Sequence, residues 1–166
     1  HHTCALTRAG GVMCWGSNDG AALGAGLLPS SGDDGQAGTV RNLTDATDIS
    51  SGDGFSCAVA GGSVMCWGAG GFGQLGDGTI TDRLLAQPAL GLADVVQVAA
   101  GTHHACARRS NGQVSCWGQN GSGQLGDGSK AMRSRPVDVD GIADAVQLAA
   151  DGTHTCAMRR AGPILY

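Results

Sequence analysis

Residues 106–118 read CARRSNGQVSCWG, and this stretch decides the fold because close copies of it stand at two other places. Residues 4–16 read CALTRAGGVMCWG, and residues 57–68 read CAVAGGSVMCWG. Each copy holds two cysteines, nine or ten positions apart around a glycine-containing turn. A Trp-Gly pair directly follows the second cysteine. A phrase that recurs at regular spacing predicts an architecture of repeated units.

The period of this repeat is close to 50 residues. The first cysteine of each phrase and one further cysteine are separated by 53, 49 and 50 positions: Cys4, Cys57, Cys106 and Cys156. Three tryptophans, each with a leucine eight positions later, keep the same phase: Trp15, Trp67, Trp117, Leu23, Leu75 and Leu125. Residues 93–107 also match residues 143–157, and residues 45–58 are a weaker copy. Alternating apolar residues and turn residues about every 8 to 12 positions then indicate the blades of a β-propeller.

We therefore predict an all-β fold of propeller blades, each with four antiparallel strands. The inner strand is the Val96/Val98 segment, the next two strands carry the cysteines, and the outer strand covers about 84–90 or 134–139. The single array over 1–166 divides into a starting hairpin, three blade-length units and a partial unit, at about 1–16, 2–54, 55–103, 104–153 and 154–166. Three blades of this kind do not close a ring. We expect part of a larger closed propeller, or an arc that closes by pairing with another copy.

The composition agrees with strands and turns and excludes two classes of partner. The chain has 30 glycines, 14 aspartates, no glutamate and a single lysine, Lys130, so turn formers far outnumber helix formers. The net charge of −4 argues against a nucleic-acid partner, because such binding depends on lysines and arginines that neutralise phosphates. No run of 18 or more apolar residues occurs, so no membrane insertion is expected.

The cysteine spacing is explained by an antiparallel hairpin. If Cys106 and Cys116 face each other, the loop between the strands is residues 110–112, with glycine last, as in a type I turn followed by a bulge. The middle copy is one residue shorter, which leaves the two-residue loop Gly61-Gly62, suited to a primed turn. The cysteines remain opposite each other in both cases.

Opposed cysteines on neighbouring strands lie close enough for a disulfide. We predict three disulfides within the blades: Cys4–Cys14, Cys57–Cys66 and Cys106–Cys116. A zinc site is the alternative, but it needs four ligands close together, whereas each cysteine pair lies in a different repeat. Disulfides imply a secreted, periplasmic or cell-surface protein. Cys156 is expected to be unpaired, because Tyr166 stands where its partner would be.

The phrases VVQVAAGTHHACARRSNGQVSCWGQNGSGQLGDG (95–128) and VMCWGAGGFGQLGDG (64–78) resemble the repeats of the regulator-of-chromosome-condensation family. The resemblance implies a seven-bladed β-propeller with blades near 50 residues. The cysteine pairs are similar to those of the secreted bacterial branch, which includes the propeller-type β-lactamase inhibitory protein. In the nuclear members, loops on one face act on a small GTPase, and in the inhibitor they cover an enzyme's active site. Acidic charge and disulfides argue against the nucleotide-exchange role here.

The residues that suggest chemistry have simpler structural interpretations. The five histidines (His1, His2, His103, His104 and His154) recur just before a cysteine-bearing strand, and Gly54-Phe55 takes that place in the second repeat. A position that accepts phenylalanine indicates packing. Asp77 and Asp127 stand in Gly-Asp-Gly turns, and residues 138–141 (DVDG) lack the remaining ligands of a calcium loop. We predict no catalytic residue, no metal site and no cofactor.

We expect a secreted interaction module that binds another protein through loops on one propeller face. The loops after Trp-Gly vary between the blades, and their variable residues are the candidate contacts: Asn18, Asp19, Phe72, Asn120 and Ser122. Phe72 is either the anchor of a contact or a local hydrophobic plug. A glycan is a second possible partner if the tryptophans are exposed, although we expect them buried between blades. The alternatives are an enzyme with a site at the channel mouth and a structural or adhesive repeat of a cell-surface assembly.

Overall fold

The computed structural model describes residues 1–26 and 35–160. In these ranges the chain forms thirteen strands and one short 3₁₀ helix, Asp19–Ala21. The strands are β1 His2–Leu6, β2 Val12–Gly16, β3 Gly38–Thr39, β4 Ala46–Ser51, β5 Phe55–Ala60, β6 Ser63–Gly68, β7 Arg83–Pro88, β8 Val95–Ala100, β9 His104–Arg109, β10 Val114–Gly118, β11 Arg133–Asp138, β12 Ala145–Asp151 and β13 His154–Arg159. No helix in the described ranges is long and apolar enough to cross a membrane.

The strands form consecutive antiparallel sheets, as predicted for propeller blades. Two sheets are four-stranded, β4-β5-β6-β7 and β8-β9-β10-β11, and they are flanked by the three-stranded sheet β1-β2-β3 and the two-stranded sheet β12-β13. Each blade-length unit of the sequence ends on the inner strand of the following sheet: β4, β8 and β12. The sequence repeat and the sheet are therefore offset by one strand.

The predicted hairpins and disulfides are confirmed. The three bonds have Cα–Cα distances of 4.0 to 4.1 Å: Cys4–Cys14, Cys57–Cys66 and Cys106–Cys116. In the middle hairpin both Gly61 and Gly62 have positive φ, which a primed two-residue turn requires. The longer hairpin closes by the bond from Arg109 N to the Gln113 carbonyl, 2.9 Å, so its loop is residues 110–112. Cys156 is unpaired, and the hairpin that follows it lies partly outside the described residues.

Side chains of the inner strands join one blade to the next. Asp48 on β4 accepts a hydrogen bond from the backbone N–H of Val98 on β8, 2.8 Å. Gln97 on β8 bonds both backbone groups of Leu148 on β12, donating to the carbonyl at 3.0 Å and accepting from the N–H at 2.9 Å. The blades therefore stand side by side around their inner strands, with the polar backbone of each edge satisfied by its neighbour.

The tryptophans and leucines fill the spaces between blades. Trp67 and Trp117 are 0% exposed, and each indole N–H donates to a carbonyl of the preceding blade's loop, Ala22 at 2.9 Å and Gln74 at 2.8 Å. The three leucines are also buried: Leu23, Leu75 and Leu125. Trp15 departs from the expected burial and is only partly buried, because no preceding loop covers it within the described part of the chain.

Candidate interaction face

The loops after the Trp-Gly pairs gather at one end of the blades. The strand direction alternates, so the loops 69–82 and 119–132 share this end with the turns 52–54 and 101–103 that precede the cysteine strands. The N–H of Ala69 donates to the Gly54 carbonyl at 2.8 Å, which ties a loop to its own blade's turn. We name this end the loop face. The hairpin tips lie at the opposite end.

Each long loop is held by an aspartate. Asp77 Oδ1 accepts from the N–H and the hydroxyl of Thr79, at 2.9 and 2.7 Å, while Oδ2 accepts from Arg83 Nε at 2.7 Å. Burial raises the pKa of Asp77, but the hydrogen bonds from Thr79 and Arg83 outweigh that effect, and the net shift is downward. The carboxylate therefore stays charged and braces the turn.

The next blade repeats this arrangement fifty positions later. Asp127 accepts from the N–H and hydroxyl of Ser129, at 3.0 and 2.8 Å, and from Arg133 Nε at 2.8 Å. Burial raises the pKa of Asp127, but the bonds from Ser129 and Arg133 are stronger and lower it to about 2. The arginine of this brace was not singled out from the sequence, although Asp-Gly-Thr/Ser-x-x-x-Arg occurs at the repeat spacing in both blades.

Two of the candidate contact residues instead hold loops together. Asn120 is 1% exposed; its Oδ1 accepts from the Leu125 N–H at 3.1 Å, and its Nδ2 donates to Asp127 Oδ1 at 3.1 Å. Burial therefore contradicts the prediction that Asn120 is a contact residue. Asn18 is half-buried and accepts from the Leu23 N–H at 3.2 Å, the same bond two repeats earlier. Both amides replace backbone partners that a tight loop cannot supply.

The other three candidates are exposed on the loop face. Asp19 and Ser122 are open to solvent, and Phe72 is 40% exposed. The Phe72 ring lies against His103, with 4.5 Å between ring centroids, and His103 Nε2 is 3.7 Å from Asp53 Oδ2. The structure thus joins Phe72, His103 and Asp53 into one patch, which we name the Phe72 patch. Asp19 and Ser122 belong to the loops of other blades.

The histidines do not converge on one cavity within the described residues. His104 is fully buried; its Nε2 lies 2.7 Å from Thr155 Oγ1, which donates to the Gln124 carbonyl at 3.3 Å. Because Thr155 gives its only proton to that carbonyl, His104 donates from Nε2, and its buried Nδ1 has no partner among the described residues. His154 is exposed and lines a cavity between β12–β13 and the preceding loop, which neither His103 nor His104 lines.

Sheets of this kind, standing side by side around their inner strands, define a β-propeller arc. The Regulator of chromosome condensation (RCC1) repeat matches residues 61–108 and 111–158, and a second form of the same repeat matches residues 1–20 and 95–124. The chain therefore belongs to the RCC1 repeat family.

Solved structures give the same fold. Human WBSCR16 is 21% identical, with a TM-score of 0.87 over 98% of this chain and 44% of that protein. Yeast Prp20, whose structure was solved with Kap60, is 20% identical, with a TM-score of 0.81 over 98% of this chain and 40% of that protein. The chain thus spans less than half the length of these proteins. At this identity the likeness establishes the propeller fold.

Proposed function

We propose that this chain forms part of a non-catalytic propeller that binds another protein through its loop face, with the Phe72 patch as the anchor. The observation that carries the proposal is the exposure of Phe72 on a loop that also exposes a second large apolar side chain, Ile80, at 57%. A 40% exposed phenylalanine packed against a histidine ring presents apolar area and loses little side-chain conformational entropy on binding. Such residues are typical anchors of protein interfaces.

Variation between blades supports the same location. The position of Phe72, five residues after its tryptophan, is taken by Gly20 in the first repeat and by Ser122 in the third. The residues that brace the loop, Asp77 and Asp127, are the same in two blades. A constant brace under a variable tip is the arrangement by which repeat proteins set the choice of partner.

A protein partner fits better than a glycan. The indoles of Trp67 and Trp117 are 0% exposed, so neither can stack on a sugar. An interaction with proteins is also recorded for one structural relative, since Prp20 of Saccharomyces cerevisiae has been studied for its binding to Gsp1p and histones. Three disulfides support a compartment outside the reducing cytosol, so the partner we propose is a secreted or surface protein.

A photo-crosslinking amino acid tests the proposal. It is placed at Phe72 in one variant and at Val96 in another. Val96 is similarly exposed, at 44%, but follows Val95, whose N–H bonds the hairpin-tip Gly62 carbonyl at the opposite end of the blades. The variants are exposed to the extracellular proteins of the source organism. We expect a discrete adduct from position 72 alone. The unlabelled chain should compete for this adduct, and the F72A variant should compete at least about tenfold more weakly. Equal labelling from both positions, or full competition by F72A, would refute the loop face as the binding surface.

A further inference from the structure

The long loop of the second blade packs against the outer strand of the third blade. The N–H of Gly78 donates to the Ser134 carbonyl at 2.9 Å. A Cβ on Gly73 would lie 2.8 Å from Ser134 Cα and 3.2 Å from the Arg133 carbonyl oxygen, so no side chain separates the two backbones there. Loop 69–82 and the start of β11 therefore form one continuous surface.

Three large apolar side chains are exposed along this contact. Phe72 and Ile80 belong to the loop and are 40% and 57% exposed, and Met132 directly precedes β11 and is 46% exposed. Each stands within two positions of a residue that makes the contact, namely Gly73, Gly78 or Arg133. Single exposed apolar residues are ordinary on a protein surface, whereas a group of them indicates a binding surface. We name the surface formed by these three side chains the seam.

An arginine of the third blade crosses to the loop beside the seam. A Cβ on Gly78 would lie 3.0 Å from Arg135 Nε, so the guanidinium lies over the loop backbone two positions before Ile80. The equivalent glycine of the preceding repeat, Gly26, is covered by Leu85 instead, whose Cδ2 would lie 3.0 Å from a Cβ there. Because a leucine fills the same place at the other contact, the packing of the blades does not require the positive charge.

The positive charges at the seam have no carboxylate partner. Arg135 and Lys130 are exposed, and neither forms an ion pair within the described part of the chain. The carboxylates of the surrounding loops already face other groups: Asp53 faces His103, Asp77 faces Arg83, Asp82 faces the Gly70 N–H and Asp127 faces Arg133. A free cation beside exposed apolar area is complemented by a carboxylate beside an apolar side chain.

We propose that the seam binds an acidic protein segment, which places an apolar side chain beside Phe72 and Met132 and a carboxylate on Arg135. This inference rests on the proposed function, because it names the chemistry of the partner at the loop face. Arginine suits the role, since its planar guanidinium binds a carboxylate through two parallel hydrogen bonds. Lys130, the single lysine of the chain, adds attraction at longer range and speeds the encounter.

Selection from a library of random peptides displayed on phage tests the proposal. The library is selected in parallel on the full chain and on the variants R135L, R135E and R8E. R135L introduces the residue that the preceding blade has at this place, and R8E makes the same change of charge as R135E at an exposed hairpin tip. Circular dichroism and urea unfolding show that each variant is folded.

The unaltered chain and R8E should select peptides in which an aspartate or glutamate lies close to an apolar residue. Recovery of these peptides should be at least about tenfold lower on R135L and R135E, because the carboxylate then has no guanidinium to bind.

A matched pair of peptides measures the charge contact directly. The most enriched peptide is labelled with fluorescein and compared by anisotropy with a copy in which asparagine and glutamine replace the acidic residues. The acidic peptide should bind the unaltered chain at least about tenfold more tightly than the amide copy, whereas R135L should bind the two about equally. Added salt should reduce the difference, since it screens exposed charges.

The outcomes separate this inference from the proposed function. Enriched peptides that lack acidic residues but lose binding to F72A would overturn the acidic partner and leave the loop face as the binding surface. No enrichment on the unaltered chain, or equal binding to R135E, would also overturn the inference. Peptides whose binding changes with neither F72A nor R135E would count against both proposals.

Discussion

Replacing His104 by phenylalanine is expected to remove most of the acid sensitivity of the folded array. His104 is fully buried, and burial lowers the pKa of this imidazole from 6.5 to about 4, with smaller contributions from the neighbouring His154 and His103. The unfolded chain therefore binds this proton at a higher pH than the folded chain does. Protonation then favours unfolding, and the loss of stability is set by the distance between the two pKa values.

The direction and size of the effect follow from this pair of pKa values. Above about pH 7 the group is neutral in both states and contributes no pH dependence. As the pH falls from 6.5 towards 4, only the unfolded state gains the proton, so stability falls. At pH 5 a folded pKa of about 4 corresponds to a loss of about 2 kcal/mol relative to pH 7.5.

Phenylalanine is the appropriate replacement because the preceding blade already uses it. Phe55 pairs in register with Gly68 as His104 does with Gly118, and a glycine lies against each ring, Gly52 in one blade and Gly101 in the other. The backbone therefore accepts a phenylalanine ring, although Thr155 must turn aside, since it stands where the preceding repeat has Ala105. The cost is one hydrogen bond from Nε2 to Thr155, about 1 kcal/mol at neutral pH.

Urea unfolding at pH 7.5 and pH 5.0 measures the effect. The unaltered chain should lose about 2 kcal/mol more than H104F between the two conditions. The H154F variant serves as the control, because His154 is exposed and its replacement should leave most of the pH dependence in place. The residual dependence of H104F comes from His2, whose pKa burial also lowers. If H104F and the unaltered chain lose the same amount, burial of His104 is not the cause of acid sensitivity.

Three further outcomes test the fold. Gly76→Ala places a methyl group 2.9 Å from Trp117 Nε1 at a φ of +71°, so it should cost at least about 1 kcal/mol in urea unfolding, while Gly71→Ala, with no atom within 4 Å, should be neutral. Asp127→Asn should lower stability by about 1–3 kcal/mol and speed hydrogen exchange of the Leu125 amide, because the brace to Ser129 and Arg133 is weakened. Breaking the middle disulfide with paired serines should cost about 2–3 kcal/mol, seen as a lower urea midpoint with the propeller circular-dichroism spectrum retained.

The repeat made most of the fold predictable from the sequence. The cysteine spacing predicted the three disulfides and their turns because a strand pair has only a few loop lengths, each with its own glycine positions. The burial of Leu75 and Trp67 followed from their recurrence in phase. The partial exposure of Trp15 could not be predicted from the repeat. The burial of an inter-blade tryptophan depends on the loop of a neighbouring blade, which is a tertiary contact.

The loop contacts were less predictable because variation between repeats has two causes. Asn120 differs from its counterpart Gly70, and this difference suggested a contact residue. In the structure Asn120 is instead part of the aspartate brace, and the second blade supplies Asp82, whose Oδ1 accepts from the Gly70 N–H at 2.9 Å. A change at one position is thus compensated at another, and only the three-dimensional arrangement distinguishes such an exchange from a binding residue.

The same distinction explains why the loop face can diversify. The brace around Asp77 fixes the path of the loop, whereas the Phe72 ring lies partly exposed against His103 at the tip. Substitutions at the tip therefore change the surface with little effect on stability, and substitutions in the brace change stability first. A variant that loses partner binding while its urea midpoint is unchanged must map to the tip. Partner binding and urea unfolding, measured for Phe72→Ala and Asp77→Asn, test this on a single loop. Phe72→Ala should lower binding at an unchanged urea midpoint, and Asp77→Asn should lower the midpoint.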